Sequence, residues 1–205
     1  MIRTALEFIR KELDTYFVGR EQDPGNYVPG SVVELQSVMK PDGTLNVMAA
    51  NSHITMMLLG VEEERREGKR PHYLPSEDKQ FYKLNPPVEL DISVLFAAHH
   101  TTYPTALRDL SNVAAFFQAN PVFDQSRYPG LNASVNDPVA KPWQLIERLS
   151  ITLSNLGFEQ QNNLWAMIGA KYMPSIVYKI KMLTIFETKS NEKTPAVTEI
   201  NFIEN

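Results

Sequence analysis

Apolar residues near the beginning of the chain recur at intervals of three and four positions, with charged residues between them. This spacing places the apolar side chains on one side of an α-helix. The residues that follow it are Ala5, Leu6, Ile9, Leu13, Tyr16 and Phe17. They predict an amphipathic helix that begins at Ile2 and ends near Gly19.

A different pattern, in which apolar and polar residues alternate, follows Pro86 and Pro87. Over 88–96 every second residue is apolar, and Glu89 and Asp91 are among the polar residues between them. Alternation with a period of two is typical of a β-strand that has one buried and one solvated face. Because proline has no N–H to donate to a neighbouring strand, this strand is expected to begin after the two prolines.

Five further segments have the composition and pattern of strands. The segment 53–61 is apolar at both alternations, so we expect a central strand that is buried on both faces. The turn residues at 41–43 favour a hairpin that joins the segments before and after them. The predicted strands are 31–38, 45–49, 53–61, 145–153 and 175–187.

Two more helices are predicted from their start and stop signals. Tyr103-Pro104 opens one of them and Asn120-Pro121 ends it, since proline disrupts a helix interior. A shorter helix is expected over 158–168, with Trp165 on its inner side and therefore packed in the core. Helices flanking a mainly antiparallel, mixed sheet make the predicted fold class α+β.

Length and composition favour a single domain with an arm. The chain has 205 residues, of which 43% are hydrophobic and 21% charged, and this is sufficient for a full core. The domain is expected to span 1–187, and the polar residues 188–205 are expected to form a C-terminal tail. A charge run over 62–70 predicts a solvated loop or frayed helix, with a contact surface for a partner as the alternative.

The segment 122–142 contains several prolines and no sustained periodicity, so it predicts a long irregular loop. Loops of this length without secondary structure are uncommon unless they bind something. Together with apolar positions in the tail, this loop supplies the candidate interface residues. They are Phe123, Tyr128, Leu131, Val197, Ile200 and Phe202.

Charge and residue usage exclude several classes of function. The sequence has no cysteine, which removes disulfides, thiolate metal sites and a thiol nucleophile. A net charge of −4 with scattered basic residues lacks the positive patch of a nucleic-acid-binding protein. We expect no membrane insertion, because no apolar segment approaches the roughly 20 residues of a spanning helix. Acidic residues in the first helix argue against an export signal.

The adjacent residues His99 and His100 are the strongest candidates for metal chemistry. They could bind an ion together with His53 or His72 and a carboxylate such as Asp91. However, neighbouring residues on a strand point to opposite faces of the sheet. We therefore expect the two histidines to be ordinary polar residues between a strand and a helix.

Glu89 and Asp91 share one face of a strand, where paired carboxylates could divide acid and base roles. That face is more simply the solvent side of the sheet. The sequence contains no phosphate-binding loop, nucleophile elbow or dinucleotide fingerprint. The prediction is a protein that is not an enzyme, with no catalytic residue, no metal and no cofactor.

Two segments carry a resemblance to a known family. The first is Asn85-Pro86-Pro87 with the strand after it, and the second runs from Leu164-Trp165 to Tyr172-Met173-Pro174-Ser175. The supporting features are the helix over 1–17, the helix end at Asn120-Pro121-Val122, and the strands over 149–153 and 176–185. On these residues, and over nearly its whole length, the chain resembles the cap or tail-terminator proteins of phage-tail-like contractile injection systems.

The resemblance implies a structural protein that forms a homo-oligomeric ring, expected to be a hexamer. Such a ring sits at the baseplate-distal end of the particle and stops growth of the inner tube and the outer sheath. Its implied partners are further copies of itself, the tube protein and the sheath protein. It would assemble in a bacterial cytoplasm and then form part of a phage-tail-like particle.

A terminator must pair with the growing end on one side and offer nothing to pair with on the other. The tail, through Val197, Ile200 and Phe202, could lie across a neighbouring subunit as an added strand and close the ring. Larger relatives continue well beyond the position of Glu187, whereas only 188–205 follow it in this sequence. A second domain is therefore not expected here.

Two other classes of protein remain open from the sequence. One is a tail-completion or head-to-tail connector protein of a true phage, which would share the ring but contact a portal-side connector. The other is a small metal-dependent enzyme that uses His99 and His100. Metal analysis of the purified protein separates the second class from the first.

Overall fold

The computed structural model describes residues 1–20, 27–64, 72–75, 80–84, 88–100, 102–136, 145–184 and 193–195. The helices are α1 (Ile2–Arg20), α2 (Tyr103–Ala119) and α3 (Phe158–Ile168), with a short 3-10 helix at Pro129–Asn132. The strands are β1 (Val33–Leu35), β2 (Ile54–Glu63), β3 (His72–Pro75), β4 (Gln80–Leu84), β5 (Val88–Ala98), β6 (Val122–Asp124), β7 (Ile146–Leu153), β8 (Ser175–Thr184) and β9 (Lys193–Pro195). The fold is α+β, as predicted.

The main sheet has six strands in the order β1-β2-β5-β8-β7-β6. Every neighbouring pair is antiparallel except β1 and β2, which run parallel. A second sheet has the order β3-β4-β9 and is antiparallel. β9 lies within the predicted tail, so part of that tail pairs with a strand of its own chain.

One face of the main sheet carries the larger core, which α1 and α2 cover. Alternate residues of β5, including Ile92, Val94 and Phe96, point to this face and are fully buried. Phe117 packs edge-on against Phe96, with ring centroids 5.3 Å apart. The predicted boundaries of α1, α2 and the start of β5 are confirmed, because periodic apolar residues and prolines mark them directly.

The other face of the sheet is covered only in part, by α3. Trp165 is buried there against Leu95, Ala97 and Val177, so its predicted place in the core is confirmed. Leu95 and Ala97 lie on the side of β5 that the alternation assigned to solvent. This face is therefore dry at the carboxyl end of β5 and polar near its start, where Asp91 lies.

Asp14 of α1 fixes the chain that leads into β1. Its Oδ1 accepts backbone N–H groups from Val32, at 2.8 Å, and Val33, at 3.3 Å, and its Oδ2 accepts the N–H of Gly30. Gly30 has a φ of +83°, a conformation that side-chain-bearing residues rarely adopt. A carboxylate in the middle of a helix thereby satisfies buried backbone donors of a neighbouring segment.

Several predicted elements were wrong in detail. The segment 31–38 forms only the three-residue β1, which pairs in parallel with β2. The predicted turn at 41–43 is present, but the pairing on either side of it is limited to a single antiparallel bridge from Met39 to Leu45. β2 is buried only at its start and is largely exposed from Gly60 onward. The charge run is strand through Glu63. Residues 65–70 of that run lie outside the described residues.

The predicted irregular loop over 122–142 also needs correction. It begins with β6, which pairs with β7, and continues into the 3-10 helix at Pro129–Asn132. Asn132 then holds the chain against the sheet: its side-chain amide donates to the carbonyl of Ile146 and accepts the N–H of Ile146. Short elements with few apolar residues leave no periodicity to detect, so sequence pattern alone could not separate them from a loop.

Candidate assembly surfaces

The helix α3 exposes large apolar side chains to solvent. Phe158 at its start is 94% exposed and Met167 near its end is 68% exposed. A surface helix ordinarily turns such residues to the core and presents polar residues to water. Of the α3 residues only Trp165 is fully buried, and Leu164 and Ile168 pack beside it while partly exposed.

Beside α3 lies a shallow groove, between that helix and the strands β2 and β5. Leu59, Gly60, Leu156 and Met167 are among the residues that line it, and its volume is about 370 Å³. A cleft with apolar side chains in its lining is a candidate site of association, whereas single exposed apolar residues are common on any protein surface. The groove and the exposed residues of α3 together are called the α3 surface below.

The second exposed feature is an edge of the main sheet. β1 pairs with β2 only from Ile54 to Met56. Beyond that point β2 continues to Glu63, and within the described residues no strand lies on its outer side. Such an edge presents unpaired backbone groups that another chain can extend. Glu62 and Glu63 at its end carry charge, which restricts the partners that can pair there.

Charged side chains cross the uncovered half of the same face. Lys179 lies 2.8 Å from a carboxylate oxygen of Asp91 and 3.7 Å from one of Glu62, and Lys181 lies 2.6 Å from Glu64. The hydrogen bond to Asp91 and its negative charge raise the pKa of Lys179. Asp91 is thus engaged in a cross-strand ion pair with Lys179, which also contacts Glu62.

The six candidate interface residues have different outcomes. Phe123 and Leu131 are fully buried, so the prediction that they face a partner is wrong for both. Phe123 packs between α1 and α2, with its ring 5.4 Å from that of Phe8. Tyr128 is partly buried, and its hydroxyl donates to Asn120 over 2.8 Å. Val197, Ile200 and Phe202 lie outside the described residues.

A buried polar cluster joins α2 to the ends of β2 and β5. At its centre is Asp109, whose side chain has no exposed surface. Nε2 of His100 lies 2.6 Å from its Oδ2, and Nδ1 of His53 lies 3.2 Å from the same oxygen. Its Oδ1 accepts the hydroxyl of Tyr27 at 2.5 Å and the Nε–H of Arg108 at 3.3 Å.

Burial alone would raise the pKa of the Asp109 carboxyl. Hydrogen bonds from His53, Tyr27 and His100, together with the charge of His100, outweigh burial and lower the pKa to about 2. Asp109 is therefore ionised across the physiological range. His99 points elsewhere: burial lowers its pKa, and its Nε2 has no hydrogen-bond partner among the described residues.

The two adjacent histidines thus separate, as strand geometry predicted, and only His100 enters the cluster. Sequence reasoning named His53 and His100 but missed Asp109. The available signal was its position on α2, where it falls three residues after Ala106 on the apolar face. A charged residue at an apolar-face position indicates a buried partner.

Among the described residues, no helix has the length and apolarity needed to cross a membrane. The fold and the exposed surfaces define an α+β protein built on a six-stranded mixed sheet, with its most distinctive surfaces suited to contact with other proteins. The chain belongs to the Pvc16 N-terminal domain family, whose model matches residues 4–199. No curated protein shows significant similarity to this chain.

Two of the solved structures that are similar to this chain come from contractile injection systems. One is the sheath/tube terminator of PVC, an extracellular contractile injection system, in its extended state. Its similarity has a TM-score of 0.56 at 12% identity and covers 96% of this chain and 62% of that one. The other is the tube-terminating cap of the anti-feeding prophage, with a TM-score of 0.49, 14% identity, and coverage of 73% of this chain and 48% of that one. This chain thus spans about three fifths of the first structure's chain and about half of the second's.

Proposed function

We propose that this protein terminates the inner tube and the contractile sheath at the baseplate-distal end of a contractile injection particle. The observation that carries the proposal is the family match over 4–199, on a chain that shares its fold with a sheath/tube terminator. The exposed apolar surface of the protein supports the same proposal, because a terminator acts through contacts with other subunits.

The proposed mechanism rests on two kinds of surface. Tube and sheath rings grow because each ring exposes apolar surface and unpaired backbone to the next ring. On this protein the open edge of β2 supplies such a contact. The charged half of the same sheet face carries Lys179 and Lys181 in ion pairs, and solvated charges of this kind do not favour addition of another subunit.

The working unit in this proposal is a ring of identical subunits, expected to be a hexamer. The α3 surface is the proposed contact between neighbouring copies, and the tube and sheath proteins are the other partners. The protein acts by binding and not by catalysis. It is assembled in a bacterial cytoplasm and is then carried on the particle.

The test is electron microscopy of particles from cells that produce or lack this protein. Tube and sheath lengths are recorded, together with the density at the end opposite the baseplate. Loss of the end density, with overlong, uneven or unstable particles, is the expected result, and restoration by the intact chain is the control. Particles of normal length that remain capped without the protein would overturn the proposal.

A further inference from the structure

The cluster around Asp109 has the donor set and geometry of a metal site. We propose that His53, His100 and Asp109 bind one divalent transition-metal ion, with Zn²⁺ as its representative. The site is independent of the terminator role proposed above. It would tie three separate elements together: the start of β2, the end of β5 and the helix α2.

Three ligand atoms converge on one small volume. Nδ1 of His53, Nε2 of His100 and a carboxylate oxygen of Asp109 all lie within 4.8 Å of one another. Both ring nitrogens face the same oxygen, Oδ2, at 3.2 Å and 2.6 Å. Zinc bonds of about 2.0–2.1 Å in a tetrahedral arrangement place ligand atoms about 3.3 Å apart. The two nitrogen–oxygen distances differ from this value by less than about 1 Å, and the separation of the two nitrogens, within 4.8 Å, has to shorten by at most about 1.5 Å.

Ligand chemistry selects the class of ion. Two imidazole nitrogens and one carboxylate suit zinc and its neighbours in the first transition row, whereas Mg²⁺ and Ca²⁺ prefer sites made only of oxygen. The ionised carboxylate supplies one negative charge at a buried position. The charge of a bound cation would be partly neutralised there without a thiolate, which this sequence does not contain.

The surroundings hold the carboxylate in place. Tyr27 and Arg108 both donate to Oδ1 of Asp109, which leaves Oδ2 turned toward the two histidines. Arg108 also donates to the hydroxyl of Tyr27 over 3.0 Å. Hydrogen bonds of this kind orient metal ligands, and their removal typically lowers metal affinity by about 10- to 100-fold.

Solvent can reach the site. His53 and His100 are each 15% exposed, and His100 lines an open depression with His99, Tyr103 and Pro174. An ion can therefore enter without unfolding of α2. Three protein ligands leave a fourth position for water on the solvent-facing side.

The sequence contains four histidines, which provides matched controls. The variants H53Q and H100Q each remove one proposed ligand. H99Q removes the neighbouring imidazole, which lies outside the cluster, and H72Q removes the remaining one. Zn²⁺ is titrated by calorimetry into the untagged full chain at neutral pH, and Co²⁺ is titrated in parallel with its visible spectrum as the readout.

We expect one Zn²⁺ per chain in the wild type, H99Q and H72Q, and an affinity lower by about 100-fold or more in H53Q and H100Q. Y27F is expected to bind about 10- to 100-fold more weakly than the wild type. Tetrahedral or five-coordinate Co²⁺ bands should appear in the wild type and disappear in H100Q.

Folding of each variant is checked by circular dichroism, and the Co²⁺ spectrum of the wild type decides the question if a variant does not fold. Absence of saturable Zn²⁺ binding to the wild type would overturn the proposal. Equal binding by the wild type and a folded H100Q would overturn it too. In either case the cluster is a hydrogen-bonded network only.

Discussion

The two faces of the six-stranded sheet are built from the same strands but differ in how far their apolar side chains are buried. On the face covered by α1 and α2, alternate residues of β5 are buried in a single large core. On the opposite face, α3 covers one half through Trp165, while the other half carries ion pairs and the helix leaves Phe158 and Met167 exposed. The first face buries most of the apolar core, and the second leaves apolar side chains exposed, where we propose that assembly contacts form.

This division has a physical basis in how much apolar area each face removes from water. Burial of apolar surface stabilises by about 25 cal/mol per Å², and a fully buried aromatic ring in contact with others adds to this through packing. A side chain that stays exposed contributes almost nothing to folding of the monomer. It contributes instead when a partner covers it. Substitutions on the two faces should therefore have different readouts.

The largest loss of stability is expected from F96A on the face covered by α1 and α2. Phe96 is fully buried between Phe117 and Tyr178, and truncation of such a ring costs about 3–5 kcal/mol. For a chain of this size the melting temperature should fall by roughly 6–20 °C. Thermal unfolding followed by circular dichroism measures the change. A fall no greater than that of F158A, the exposed control, would contradict the assignment of the two faces.

A smaller but pH-dependent loss is expected from D109N. The pKa of Asp109 is lowered to about 2, below the ordinary value of 3.8, so the folded state favours its ionised form. Its contribution to stability is present above about pH 4 and is lost as the pH falls toward 2, and at neutral pH it is of the order of 2 kcal/mol.

Chemical unfolding at a series of pH values tests this. The wild type should lose stability more steeply than D109N between about pH 4 and pH 2, because only the wild type takes up the extra proton on unfolding. Parallel pH profiles for the two proteins would show that Asp109 does not supply this dependence. E147Q, at an exposed position of β7, serves as the matched control because it removes a carboxylate outside the cluster.

Removal of the ammonium group in K179M should have a still smaller effect on unfolding. Lys179 is 45% exposed and its partner Glu62 is 78% exposed, so their attraction is weak and screened, whereas the pair with Asp91, which is 13% exposed, is screened less. The difference in melting temperature from the wild type should be smaller than that of D109N and should shrink further in 1 M salt. A difference that is unchanged by salt would show that packing of the lysine stem, not charge, is responsible.

Sequence patterns found the elements with long, regular periodicity and missed those set by tertiary contacts. The residues of α1, α2 and α3 carry helical spacing, and α2 also has a proline near each end, so these helices could be assigned directly. β1 and β6 are three residues long, and their pairing depends on strands far away in the sequence. The apolar residue Phe123 looked like a loop residue for the same reason, although it lies in the core.

The chemistry of the buried cluster shows the same limit. His53, His100 and Asp109 lie on three elements, and only the fold brings them within hydrogen-bonding distance. A charged residue at position 109, on the apolar side of α2, indicates from the sequence that a partner is buried there. The sequence does not show that this partner is His53 or His100. The exposure of Phe158 was equally hidden, because an apolar residue at a helix start ordinarily indicates burial.

The smallest effect on folding and the largest on assembly are expected at the α3 surface. F158D and M167D should change the free energy of unfolding of the single chain by no more than about 0.5 kcal/mol, since both side chains are exposed. Placing a charge in an apolar contact between subunits leaves it buried and unpaired, which is costly. Particle assembly should therefore fail while the monomer stays folded. K171D, a charge change at a polar position just after α3, is the control.

The most direct test of the proposed assembly role of the α3 surface is complementation with F158D in cells that lack the protein. Electron microscopy of the particles is the readout. F158D is expected to fold and to have the melting temperature of the wild type. The particles should lack density at the baseplate-distal end and have overlong or unstable tubes. K171D should restore capped particles of normal length. Capped particles of normal length with F158D would contradict the claim that the α3 surface is used for assembly.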